Sequence, residues 1–148
     1  MSPAGGSIDV HGFGADPAGR LSARVARTAL RFLRCRKLGV SFCSVVPAES
    51  ARLNRLWRRR SRPAEILSFA APADEPGGNL GEIYLCLPLI RRRARRLGLP
   101  YGRWVAELAG HGILHLMGFH HGDPEAERRM FTVQAAVVGV LPRGQARR

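Results

Sequence analysis

Residues 111–121 read HGILHLMGFHH and hold four of the five histidines of a 148-residue chain. Imidazole is the commonest metal ligand among side chains and titrates near neutral pH, so such crowding points to one shared ion. His111 and His115 are four apart; on a helix they project from the same face about one turn from each other, and both can reach a single cation. Gly118 suits a helix end, and a chain reversed there brings His121 back toward the same point. Three neutral imidazoles at about 2.0–2.1 Å suit zinc, one ion per chain, and leave a fourth tetrahedral position open to water, as catalytic rather than structural sites do. His120 and His121 are neighbours and cannot easily both ligate. The spacing H-x-x-x-H-x-x-G-x-x-H selects His121.

The same spacing occurs in the metzincin peptidases, whose H-E-x-x-H-x-x-G-x-x-H carries a Glu as general base. Gly112 stands at that position here, which keeps the cage and removes the base of peptide cleavage. A fuller resemblance lies elsewhere. HGILHLMGFHH is similar to the H-G-x-L-H-L-x-G-x-D-H signature of the YbeY family, zinc-binding bacterial endoribonucleases of rRNA maturation. LNRLWRRRSRPAEILSF, 53–69, resembles that family's L-N-x-x-(aromatic)-R…P-T-D-V-L-S-F block, and GEIYLC, 81–86, its G-D-I-x-I-C strand. The likeness runs from about residue 38 to 134.

That resemblance implies His111, His115 and His121 as metal ligands and Arg58 as a catalytic arginine. It implies metal-dependent cleavage of single-stranded RNA in rRNA maturation, including processing of the 16S rRNA 3′ end, and ribosome quality control, with rRNA and the small ribosomal subunit as partners. Ser68 and Phe69 would shape the strand beside the site rather than react. The chain departs from the family pattern at Ala64 and Glu65 (Thr-Asp), at Glu82 (Asp) and at His120, where an Asp that could orient a ligand has become neutral or cationic.

Hydrophobic patterning supplies the elements that must hold these residues. IDVHGF suits a strand, followed by a loop over 14–19 and a helix over about 20–36. On that helix Val25, Ala29, Phe32 and Leu33 share one face, while Arg24, Arg27, Arg31 and Arg34 form a basic stripe fit for an RNA backbone. VSFCSVV, 40–46, reads as a strand, and a helix after Pro47 runs through ARLNRLWRR until Pro63 stops it. ILSFA and EIYLCL are strands joined by the loop PADEPGGNLG; a basic helix with RRRARR follows Pro88. The histidine helix begins after Pro100, is mostly apolar and should be the buried central one. Asp123, Pro124 and Glu125 start a last helix with the stripe Ala126, Met130, Val133 and Val137. The order predicts a single α+β domain over 1–148, with one mixed sheet of about four strands, helices packed around it, and disordered ends at 1–6 and 142–148.

Composition narrows the classes. Lys+Arg number 24 against 11 Asp+Glu, a formal net charge of +13, which favours a polyanionic partner; the arginines between 91 and 96 are further candidates for backbone contact. Cys35, Cys43 and Cys86 form no CxxC pair and suggest neither a disulfide framework nor a cysteine-built zinc site. No basic leader with an apolar core opens the chain and no apolar run is long enough for a bilayer, so no membrane partner and a cytoplasmic location are expected. Two other classes remain open: an RNA-binding ribosome-assembly factor with a structural metal, and another metal hydrolase, such as a peptidase taking its base from Glu107 or Glu65.

Overall fold

Parallel strands need a long crossover between them, and helices alternating with strands supply it. The computed structural model describes residues 6–72, 78–120 and 122–139. Its elements are β1 (Ile8–His11), α1 (Ala18–Phe32), β2 (Gly39–Ser44), α2 (Pro47–Arg58), β3 (Ile66–Ala70), β4 (Asn79–Leu85), α3 (Leu87–Leu97), α4 (Tyr101–Leu116) and α5 (Pro124–Gly139), in the predicted order. The sheet has the spatial order β1-β2-β4-β3. β1 pairs with β2, and β2 with β4, in parallel; β3 is an antiparallel edge strand with Ser68 opposite Ile83.

Alternation along the strands decides what each face of the sheet meets. Val40, Phe42, Ile83 and Leu85 are buried among Val25, Ala26 and Ala29 of α1 and Val105, Ala106, Ala109 and Ile113 of α4. α4 is the central buried helix expected from its composition, and the small side chains where it meets α1 let the two axes approach closely. The Trp104 indole donates to Glu65 Oε1 at 2.8 Å beside the start of β3. Eight residues on, Gly112 faces Ile66 and Ser68, so α4 runs along β3 in the same direction. A helix that returns the chain between parallel strands runs against them. α1, between β1 and β2, does so and ends at the margin where β2 begins; α2 leads instead into the antiparallel β3, and its end, at Trp57, packs on Phe69 near the end of β3, at the margin where β4 begins and α4 ends.

Several boundaries differ from the sequence reading, each for a local reason. α1 stops at Phe32, and Arg34 adopts φ 59° in the turn beyond, so Arg34 leaves the helical stripe; Phe32, expected inside, is 52% exposed. α2 ends at Arg58, not at Pro63. Arg59 takes the left-handed φ of 57° and its N–H reaches back to the Arg55 carbonyl at 3.2 Å. Buried side chains of α2 then hold the returning segment: Asn54 Nδ2 donates to the Arg62 carbonyl at 2.7 Å, and Ser50 Oγ accepts from the Ala64 N–H at 2.8 Å. β4 starts at Asn79 and so takes the end of the predicted loop, whose residues 73–77 lie outside the described residues.

Of the predicted tails, residues 1–5 and 142–148 lie outside the described residues; Gly6 is described, its N–H bonded to the Lys37 carbonyl. Cys35, Cys43 and Cys86 are free thiols. Among the described residues no helix is long and apolar enough to cross a membrane.

Candidate metal centre

The C-terminal end of α4 carries the histidine pair, His115 in its last turn and His111 one turn before it. His111 is half-buried and His115 exposed, and their Nε2 atoms approach to 3.0 Å with the ring planes at 72°. Two ligands of one tetrahedral zinc at about 2.05 Å would stand roughly 3.3 Å apart, close to that separation. Gly118, at φ +97°, then turns the chain, with its N–H on the His115 carbonyl at 3.0 Å and that of Phe119 on Leu114 at 2.9 Å. The helix ends where glycine was expected to end it.

Hydrogen bonds fix which nitrogen of His111 faces His115. Gln134, buried on α5, donates through Nε2 to Glu107 Oε2 at 2.7 Å, and its Oε1 lies 3.3 Å from His111 Nδ1. An amide oxygen only accepts, so Nδ1 carries the proton and Nε2 keeps its lone pair directed toward His115. Glu107 is itself held by Arg103 Nε at 3.0 Å. A chain Arg103–Glu107–Gln134–His111 thus sets the ring from behind. Sequence spacing contains part of it, because Arg103, Glu107 and His111 recur every fourth residue; Gln134 comes from another helix and leaves no local signal.

Of the predicted ligands, the structure brings His111 and His115 together, and His121 lies outside the described residues. Among the described residues no group of three His, Cys, Asp or Glu side chains gathers. His120 is exposed, and its Nδ1 accepts the Gly122 N–H at 2.8 Å, which employs the ring in the turn that follows α4.

Gly112 faces the sheet rather than the histidines. A Cβ there would meet Ile66 Cδ1 at 3.0 Å, Ile83 Cδ1 at 3.1 Å and Ser68 Oγ at 3.1 Å. A larger side chain here requires the ends of Ile66, Ile83 and Ser68 to give way, and a glutamate would start from the face of the helix turned to the sheet, away from the position a peptidase-type base needs. The other carboxylates weighed for that role are occupied: Glu107 as described, and Glu65 by the Trp104 indole, about two helical turns from His111.

Arg58 is the exposed last residue of α2, with no hydrogen-bond or ion-pair partner among the described residues. It follows Trp57, whose ring packs on Phe69, while the neighbouring Ser68 points to α4. The ends of α2 and α4 therefore flank the edge strand β3 from opposite faces. On α1, Arg24, Arg27 and Arg31 are exposed; Arg27 and Arg31, with Arg36, line an open pocket of about 390 Å³ beside Leu30 and Leu38. On α3, Arg92, Arg93 and Arg96 border a second opening of about 410 Å³. Arg91 is engaged within the fold instead. It pairs with Asp16 Oδ2 at 2.7 Å and stacks over the Tyr101 ring at 3.9 Å, tying the loop before α1 to α3 and α4.

The sequence model of the endoribonuclease YbeY family matches residues 16–141. The chain belongs to the YbeY family. Proteins named endoribonuclease YbeY are 39% identical over 88 residues in Persephonella marina, covering 55% of this chain and 56% of that one. In Synechococcus sp. strain RCC307 the identity is 36% over 107 residues, covering 68% of this chain and 66% of its relative. In Myxococcus xanthus it is 33% over 133 residues, covering 87% and 45%. The matches to these relatives thus span about half to two thirds of their length. The solution structure of TM1509 from Thermotoga maritima superposes with a TM-score of 0.64 at 25% identity, covering 88% of this chain and 86% of the other. The YbeY match extends the likeness seen in the sequence forward through α1 and back to the end of α5.

Proposed function

We propose that this chain is a metal-dependent endoribonuclease that cuts single-stranded RNA in rRNA maturation, including at the 16S rRNA 3′ end, and in ribosome quality control. Its partners on this reading are rRNA and the small ribosomal subunit, and its location is the cytoplasm. The observation that carries the metal assignment is the 3.0 Å approach of His111 and His115 Nε2, with the proton of His111 kept on Nδ1 by Gln134. His111, His115 and His121 would hold one zinc ion per chain. When bound, zinc would supply Lewis-acid chemistry to the phosphodiester. Gln134 and Glu107 keep the His111 ring oriented, and the solvent-facing position of His115 leaves the approach open to a polymer. Arg58, which has no partner among the described residues, can form two hydrogen bonds to phosphate oxygens as negative charge grows on them. Arg24, Arg27, Arg31 and Arg34 hold the RNA backbone farther out, a contact that weakens with salt.

A purified, zinc-loaded chain incubated with rRNA fragments tests this. Elemental analysis should give zinc near one per chain and gel analysis should show cleavage, both lost in His115→Ala. Undiminished cleavage in His115→Ala and Arg58→Ala alike would refute the reading. His120, in place of the family Asp and engaged with Gly122, favours one second reading, an RNA-binding assembly factor with a structural metal. Unfolding on chelation, with RNA never cut at saturating zinc, would select it.

A further inference from the structure

The end of α2 carries aromatic surface that the fold does not bury. Trp57 lies one turn after the inward-facing Leu53 and Asn54, yet it is 69% exposed. Its ring rests on Phe69 with centroids 6.0 Å apart and planes at 62°, and Phe69 meets Tyr84 in turn at 5.7 Å and 70°. Phe69 is half-buried and held by β3, so Trp57 sits on a fixed support with most of its indole in water. In the same helix end and the segment that follows it, Arg55, Arg58, Arg59, Arg60 and Arg62 are all exposed.

An exposed flat ring on a helix end and following segment that carry five exposed arginines matches a ligand that alternates flat apolar rings with anions. Single-stranded nucleic acid has that chemistry: bases stack on aromatic side chains while arginines follow the phosphates. A second copy of a chain with a net charge of +13 would bring like charge to the same face. We propose that Trp57, supported by Phe69, is a base-stacking subsite for single-stranded RNA, with Arg55 and Arg59 contacting the phosphates beside the stacked base. This rests on the endoribonuclease reading and adds a path to it. Ser68 faces the histidine helix and Phe69 faces Trp57, so RNA that stacks on Trp57 reaches the histidine turn by crossing the edge of β3.

The test uses the native chain, Trp57→Ala and Trp57→Phe, with a short oligoadenylate and an abasic ribose-phosphate strand of equal length as probes. The chain's other tryptophan, Trp104, is half-buried against Glu65, so quenching of tryptophan fluorescence by the oligoadenylate reports on Trp57. Quenching is expected in the native chain and in neither variant. Affinity read by anisotropy should fall about 10-fold in Trp57→Ala and much less in Trp57→Phe, and the abasic strand should bind all three alike. RNA that is bound and cut with no quenching and no loss in Trp57→Ala would overturn the subsite while leaving the nuclease reading intact. A native chain that neither binds nor cuts RNA would bring down both. Fluorescence that answers to anionic phospholipid vesicles, or to protein concentration alone, and not to RNA would assign the face to a membrane or a second copy and also overturn the proposal.

Discussion

The side-chain oxygen of Gln134 lies 3.3 Å from Nδ1 of His111, across the contact between α5 and α4. The amide's orientation is not arbitrary, because its nitrogen must donate to Glu107 Oε2 at 2.7 Å. Partners of this kind typically change metal affinity by about 10–100-fold when removed. Gln134→Leu is therefore expected to weaken zinc binding by about that factor, measured by competition with a chromophoric chelator. Its circular dichroism should stay native. Unchanged affinity would show that the ring is held without the amide.

Gly112→Ala should cost about 1–3 kcal/mol of stability, since the added methyl meets three side-chain atoms in a packed interface. Calorimetry should show a melting temperature lower by several degrees. Gly112→Glu should destabilise more and should gain no peptidase activity on a peptide panel, because the carboxylate is aimed at the sheet.

Arg58→Ala is expected to lower kcat on single-stranded RNA by about 10²–10³-fold, the usual effect of losing one charge-stabilising donor. RNA affinity should change far less, since many other arginines share the backbone. Arg58→Lys should recover only part of the rate, as an ammonium lacks the paired donors of a guanidinium. Equal losses in affinity and rate would place Arg58 in ground-state binding.

Asp16 gives a pH dependence with a definite sign. Burial pushes its carboxyl up, but hydrogen bonds from the Ala18 N–H, Arg91 and the Tyr101 hydroxyl together hold it below the ordinary 3.8. The folded value lies below the unfolded one, so the carboxylate's contribution is present above about pH 4 and is lost as pH falls through the folded value. Denaturant titrations should show Asp16→Asn less stable than the native chain at neutral pH. The difference should shrink on acidification below about pH 4; a gap independent of pH would count against this role.

The order of elements was legible because each apolar pattern is long enough to show its period, and α4 most clearly, where Pro100 and Gly118 mark its limits. His111 and His115 could be paired from spacing alone, since a helix places residues four apart on one face. Arg59 gave no warning that it would end α2: arginine rarely takes a positive φ, and Asn54 and Ser50, which hold the segment after it, act across the fold. Phe32 looked inward by period, but α1 ends there and the ring is left half exposed. Gln134 and the crowding at Gly112 are tertiary facts and have no imprint along the chain.

α1, α2 and α4 all end at the same margin of the sheet. Aligned peptide dipoles leave roughly half a negative charge at each carboxyl end, so three such ends make that rim electronegative before any side chain is counted. Such a field draws in a cation and turns away an RNA phosphate. Arg31 in the last turn of α1, and Arg55 and Arg58 in that of α2, reverse its sign locally, whereas α4 ends in His115 without a permanent cation. On the proposed reading, one rim would thereby favour a cation at one helix end and a polyanion at the other two.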